Sequence, residues 1–297
     1  MHYFVVTDNK SFENQTFEIS DEIYGKLDGC KKILLKVLKA EEIYDQIVES
    51  YWDYKSKLNY WNMRSISGRN LDYSLNHEIR SSLNRLAFNV LNLGKLYLDL
   101  HYYEEKKNFF AYDITKDDGA KLAVTEHRKK IFSENIHYRI GCKLRSYSQH
   151  SSLPVNNFTT GIRNVENTTF ASFKIIYEYK DLIGAKVPKG ILNTEDKFDL
   201  TEILDGYVFA IAQMHALNRN LISKATDQAK TTIRTISNSY YDKSSFSECS
   251  GRIHPENGDA YYADLEWFSV VDYLHKKHMF TINYSEISFD KQSSNVV

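Results

Sequence analysis

Proline is nearly missing from this chain: three residues in 297, alongside twelve glycines. So few breakers favour long uninterrupted elements, chiefly helices. Cysteine is equally sparse. Cys30, Cys142 and Cys249 stand far apart with no Cys-x-x-Cys pair, which argues against a disulfide framework or a zinc knuckle and for a reducing cytosol. Neither sign of charge dominates, with 38 Lys and Arg against 39 Asp and Glu. The chain as a whole therefore has no pull toward nucleic acid or membrane, and any basic surface must be local. Long apolar runs are missing too. The longest, around Tyr207 to Leu217, is about half of the roughly 20 residues a membrane span needs. At the N-terminus, Asp8 falls where a secretory apolar region would continue. These absences point to a soluble, cytoplasmic protein with no membrane partner. The remainder, 42% hydrophobic and 26% charged, is globular composition in a chain long enough for one large or two modest cores.

Hydrophobic spacing predicts the elements. Residues 1–20 read as a small edge hairpin, Phe4-Val5-Val6 and Phe17-Glu18-Ile19 around a polar turn. Lys31 to Lys39 carries no clear assignment. A helix is predicted from about Ala40 to Asn62, with Ile43, Ile47, Tyr51, Tyr54, Leu58 and Trp61 on one face, and a break at Ser65 to Asn70. A second is predicted from Leu71 to Tyr103, antiparallel to the first. A third is predicted as one element from Lys121 to His150, with Ile136, Ile140, Leu144 and Tyr147 inward. Beyond Pro154 the pattern turns to β-branched and aromatic residues, and a β-hairpin is predicted over about 155–180. Asp199-Leu200-Thr201-Glu202 opens a fourth long helix running to Asp227 or Ser237. Residues 238–260 read as loop, Tyr261 to Met279 as helix, Phe280 to Phe289 as a final strand and the last residues as a frayed tail.

The chemistry concentrates in Leu144-Arg145-Ser146-Tyr147-Ser148-Gln149-His150-Ser151-Ser152-Leu153-Pro154-Val155. RNA carries its own nucleophile, the 2′-hydroxyl. Cleavage needs a proton acceptor, a proton donor for the leaving 5′-oxygen and positive charge at the phosphorane. Histidine suits either proton role, arginine forks onto phosphate oxygens, and no metal is required. With eleven Arg and ten His, an Arg-x(4–6)-His spacing is expected about once by chance, so spacing alone carries nothing. Context does. It is the single such match in the chain, and it lies in a basic stretch: Lys121 to Arg145 holds seven Lys or Arg and two Glu. On a regular helix the two side chains are not stacked on one face, and convergence requires loosening near Pro154. The alternative is a solvated helix end.

Arg-Ser-Tyr-Ser-Gln-His-Ser-Ser-Leu-Pro-Val resembles the signature of HEPN-type domains (higher eukaryotes and prokaryotes nucleotide-binding), over roughly Ala40 to Ser223. The resemblance implies a mainly α fold: an antiparallel helical bundle with a small β-hairpin after the motif helix. It also implies a metal-independent endoribonuclease with no cofactor, acting as a homodimer in a toxin or phage-defence setting, with an antitoxin or defence-system protein as partner. Arg145 would stabilise the phosphorane and His150 act as acid or base. Ser146, where the family more often has Asn, His or Asp, would orient His150. The expected organisation is a β segment at 1–20, the helical domain at 21–237 and an extension at 238–297. The rival from another class is a non-catalytic HEPN-like scaffold that binds RNA, nucleotide or a protein.

Secondary candidates surround the motif. Arg139 and Lys143 are candidate phosphate contacts acting through charge, as is Arg128-Lys129-Lys130, which reads equally well as a solvated helix face. Tyr147 suits base stacking, although its phase with Ile140 and Leu144 favours packing. His215 reads as a satisfied core histidine. His275 and His278, with Asp272 one turn earlier, have metal-ligand spacing but two intervening lysines repel a cation. Glu178-Tyr179-Lys180 has the spacing of half a metal-dependent nuclease motif, with only Glu166 nearby as an acid. No metal site is expected.

Overall fold

The computed structural model describes residues 1–66, 72–103, 108–165 and 168–286. The chain is mainly helical. Its helices are α1 (Asp21–Ile66), α2 (Tyr73–His101), α3 (Phe110–Thr115), α4 (Asp118–Glu134), α5 (Ile136–His150), α6 (Tyr179–Gly184), α7 (Leu200–Tyr241) and α8 (Ser269–Lys277). The strands are β1 (His2–Asp8), β2 (Asn14–Ile19), β3 (Tyr102–Tyr103), β4 (Asn108–Phe109), β5 (Thr159–Val165), β6 (Thr168–Lys174), β7 (Ile176–Glu178), β8 (Lys197–Asp199), β9 (Cys249–His254) and β10 (Tyr261–Tyr262). Among the described residues, no helix is long and apolar enough to cross a membrane. Two compact units emerge: one from Met1–Glu42, Ala111–Lys116 and Arg219–Met279, the other from Ile43–Phe110, Asp117–Asn218 and Phe280–Val297. The boundaries fall inside α1 and α7, so each long helix contributes to both units.

The second unit holds the larger core. Tyr51, Tyr54, Leu58 and Trp61 from α1 pack with Leu83, Ala87, Val90 and Leu91 from α2, with Ile140 and Leu144 from α5 and with Ile203, Tyr207 and Ile211 from α7. Tyr207 is the key. It is fully buried, stacks on Tyr138 at 5.9 Å and donates to the Leu91 carbonyl at 3.3 Å. Its ring lies against Gly94 of α2 and Gly141 of α5; a Cβ at Gly141 would sit 2.7 Å from Tyr207 Cδ2, and one at Gly94 would collide with the same ring. Two glycines, otherwise unfavourable in helix interiors, thus let α2 and α5 close on one tyrosine.

In the first unit, a four-stranded antiparallel sheet has the order β10-β9-β1-β2. Phe4 and Val6 face inward, and Phe4 stacks on Tyr240 of α7 at 4.7 Å. Buried Glu41 accepts from Arg219 Nε (2.9 Å) and Nη2 (2.5 Å), while His275 Nε2 lies 3.0 Å from the same carboxylate. Arg219 Nη1 also donates to the carbonyl of His278 just beyond α8. A half-buried guanidinium thereby ties the end of α8 to α1 and α7.

Several boundaries differ from the sequence expectation. The helix predicted from Ala40 starts at Asp21, because Leu27, Leu34 and Val37 continue the buried stripe through a stretch diluted by Gly25, Gly29 and lysines. The element predicted as one helix over 121–150 is two. Asn135 sits extended between α4 and α5; its Oδ1 accepts from Tyr138 N at 2.9 Å, and its Nδ2 donates to Gly206 O at 3.0 Å. An asparagine that offers such side-chain bonds competes with helix continuation. The N-terminal hairpin is not a lone edge: β1 pairs with β2 on one side and β9 on the other, drawing β9 from a stretch expected to be loop. The helix expected from Tyr261 begins at Ser269, since Tyr261 and Tyr262 pair with β9 instead. Strands β5 and β6 pair from Thr159↔Lys174 to Val165↔Thr168, and residues past Lys174 leave them to pair with β8. Of the predicted last strand, residues 284–286 form a 3-10 turn; its end and the tail lie outside the described residues, as do 67–70 of the predicted break and Leu71, the expected start of the second helix.

Gly141→Ala is expected to cost roughly 1–3 kcal/mol by overpacking against Tyr207, whereas Gly25→Ala, with open space around its Cβ, is expected to gain up to about 1 kcal/mol from helix propensity. Urea melts of the two variants beside the parent chain check both signs.

Candidate functional site

Helix α5 carries every motif residue, and its sequence contains no Asp or Glu. Asn135 caps its start. Tyr138, Ile140, Gly141 and Leu144 are buried and seat it in the core. The helix is regular through His150, with Ser151 N bonding back to the Tyr147 carbonyl at 2.8 Å. The loosening that convergence of Arg145 and His150 requires is therefore not present. Five residues of regular helix place the two side chains about 140° apart around the axis.

The other residues group differently. Arg139, Lys143, Ser146 and His150 recur at spacings of four, three and four, so they form one stripe along α5. Ser146 and His150 at its end are exposed, and Arg139 and Lys143 are half-buried. Arg145 lies off this stripe, toward Tyr207: burial pushes the Tyr207 hydroxyl far above the usual phenol range, and the charge of Arg145 is among the influences opposing that rise. Among the described residues, none of Arg139, Lys143, Arg145 and His150 has an ion pair. The Nε atoms of Arg139 and Arg145 are shielded from solvent without a hydrogen-bond partner. Tyr147 is partly buried against the core, in phase with Leu144. Burial pushes the neighbouring Cys142 thiol up to about 11, which keeps it protonated and unsuited to nucleophilic attack.

The turn after the motif is held by residues that motif-reading missed. Asn84 of α2 clips Val155 by its backbone: Val155 N–H donates to Asn84 Oδ1 (2.6 Å), and Asn84 Nδ2 donates to the Val155 carbonyl (2.9 Å). Tyr177 donates to the Pro154 carbonyl. Gln149 Nε2 donates to Asn92 Oδ1 at 3.0 Å, fixing the last turn of α5 to α2. The available signal was Asn84 itself, a polar residue in the buried stripe Asn84, Ala87, Leu91, Gly94 and Leu98.

The remaining candidates have structural partners. Arg128 donates to the Tyr102 carbonyl at 3.0 Å and lies 4.3 Å from that ring's centroid. His215 is buried, stacked on Tyr44 at 4.0 Å, with Nδ1 3.0 Å from the Tyr97 hydroxyl. Asn218 Nδ2 donates to that hydroxyl (2.9 Å) and faces His101 Nδ1 (2.6 Å). His275 bonds Glu41, and Glu178 pairs with Lys180 and Lys197 while beginning α6 through a capping box with Asp181. Among the described residues, no group of three His, Cys, Asp or Glu could hold a metal ion.

Two outcomes test this arrangement. Asn84→Ala removes both bonds to a buried backbone and is expected to cost roughly 2–4 kcal/mol, with hydrogen exchange at Val155 rising out of proportion to the global change. The second concerns His101. Its imidazole, nearly fully buried and beside the Arg128 charge, is pushed down to about 3, against about 6.5 in an unfolded chain. Between those values the unfolded chain binds more protons than the folded one. Stability is thus intact above about pH 6.5 and is lost progressively below it, by roughly 2 kcal/mol from pH 7 to pH 5. Urea midpoints at the two pH values check this, and His101→Gln is expected to flatten the difference.

Compared with protein-family profiles, curated proteins and solved structures, the chain matches none.

Proposed function

We propose that the protein is a metal-independent endoribonuclease of HEPN type, with α5 as its phosphate-facing surface. One observation carries this reading: a helix without a single acid places Arg139, Lys143, Ser146 and His150 in one stripe, with Arg145 on another face of the same helix, and none of the basic groups has an ion pair among the described residues. An unneutralised cationic stripe ending in an exposed imidazole suits a phosphodiester. His150 takes the 2′-hydroxyl proton as the 2′-oxygen bonds to phosphorus, the P–O5′ bond breaks, and the leaving 5′-oxygen takes its proton from solvent water. Guanidinium and ammonium groups hold the phosphorane charge, leaving a 2′,3′-cyclic phosphate and a 5′-hydroxyl. Ser146, one turn before His150, is the hydroxyl that orients it. Because Arg145 and His150 diverge on one helix, the pair that closes on one phosphate comes from two copies, in line with the homodimer the HEPN resemblance implies. The same resemblance supplies the setting: a cytoplasmic toxin or phage-defence effector with an antitoxin or defence-system partner.

The divergence also favours a second reading, in which α5 binds RNA without turnover. The two separate in one experiment with purified protein and RNA in EDTA. The nuclease reading expects 2′,3′-cyclic phosphate ends and a loss of roughly 10²–10⁴-fold in His150→Ala. Cleavage that needs added Mg²⁺, or that persists unchanged in His150→Ala, overturns it. The binding reading expects no cleavage, and a salt dependence of affinity whose slope falls by about one unit in Lys143→Ala.

A further inference from the structure

The sheet of the first unit has two faces. Phe4, Val6, Gly251 and Ile253 are buried on the inner one. The alternate residues point the other way, and cross-strand pairing arranges them in rows. Tyr262 stands opposite Arg252, Arg252 opposite Val5 and Val5 opposite Thr16; in the next row, His254 stands opposite Tyr3 and Tyr3 opposite Glu18. Arg252 and His254 are exposed, and Tyr262 is 57% exposed.

The exposed ring is held in place. Arg252 lies with its guanidinium carbon 4.6 Å from the Tyr262 ring centroid, and its Nη2 donates to the Tyr262 hydroxyl at 2.7 Å. Arg252 and His254 have no carboxylate partner among the described residues. No acid occupies the outward positions Tyr3, Val5, Thr7, Arg252, His254 and Tyr262. Glu18, on the edge strand, marks the limit of the patch, and Glu256, past the end of β9, lies 3.0 Å from the Met1 amine.

We propose that this outer sheet face binds single-stranded nucleic acid, with bases stacking on Tyr262 and Tyr3 and Arg252 contacting phosphate. Charge complementarity selects this occupant. The face offers π surfaces and the unneutralised guanidinium of Arg252, and its only aliphatic side chain in the central rows is Val5, too little apolar area for a protein partner to bury. A guanidinium held against an exposed tyrosine ring puts a cation beside a π surface, which suits a phosphate and its base together. Extended strands carrying outward aromatics are a general solution for splayed bases, because every base has a π face. Binding at this sheet does not depend on whether α5 cleaves RNA.

The test uses the full chain carrying His150→Ala, so that turnover cannot consume the probe, with fluorescent 12-nucleotide RNA and DNA strands of mixed sequence and the corresponding duplex, followed by anisotropy at low salt. Binding of either single strand more tightly than duplex is expected. Tyr262→Ala is expected to weaken it by about tenfold, Tyr262→Phe to restore most of the affinity because the stacking ring remains, and Arg252→Ala to reduce the salt slope by about one unit. Photocrosslinking of 4-thiouridine RNA should label peptides containing Tyr3 or Tyr262. Failure of both single strands to bind, a preference for duplex, or parental affinity in both Tyr262→Ala and Arg252→Ala overturns the proposal, as do crosslinks confined to α5. Cleavage and Lys143→Ala test α5, whereas Tyr262→Ala and Arg252→Ala test the sheet, so either can fail alone.

Discussion

Close packing around Tyr207 is the constraint on which the second unit depends. One fully buried phenol touches α2 and α5 at glycines, stacks on Tyr138 and bonds a backbone carbonyl of α2. Interiors packed to this density have discrete solutions and do not slide. With α5 seated so closely, its rotation about its own axis is set, and so is the stripe it shows to solvent. The orientation of Lys143, Ser146 and His150 is a consequence of where a tyrosine on another helix fits.

The same unit uses buried polarity economically. Tyr97, His215, Asn218 and His101 join α2 to α7 through a chain of hydrogen bonds, and Tyr51 with Lys55 holds Asp205 against α1. Such groups are costly to bury singly and acceptable when paired. They impose register, since a helix shifted by one residue would strand several of them. Their cost appears as acid sensitivity, because His101, buried neutral, must charge when the chain unfolds at low pH.

Where local pattern decides structure, the sequence was readable. The apolar face of α1 from Ile43 to Trp61, the face of α2 and the long α7 follow from spacing alone, as does the place of His215 in the core. Where one side chain or a distant partner decides, it was not. Asn135 splits a basic helical pattern through a bond to Gly206, far along the chain, and no periodicity announces it. Strand β9 lies in a polar stretch that becomes a strand only because β1 comes to pair with it. The motif was legible as residue types and as a basic segment. Which of its members share a face was also computable from spacing, and it divides the set differently from the motif: Arg139 and Lys143 align with Ser146 and His150, while Arg145 stands apart. Asn84, which holds the turn after the motif, is visible in sequence only as a polar interruption of an apolar stripe.

The pairing of Tyr3 with His254 also bears on how the chain is made. During synthesis, β1 leaves the ribosome long before β9, its central partner, which emerges only after α1 to α7. The second unit draws most of its residues from a stretch that is complete long before then, so it can collapse while the N-terminal strand is still waiting. Through that interval, which at about 5–20 residues per second lasts some tens of seconds, β1 and β2 are a hairpin with an open edge. That leaves β1 open to misassembly until its partner arrives, and gives β9 a second role as the strand that closes the edge.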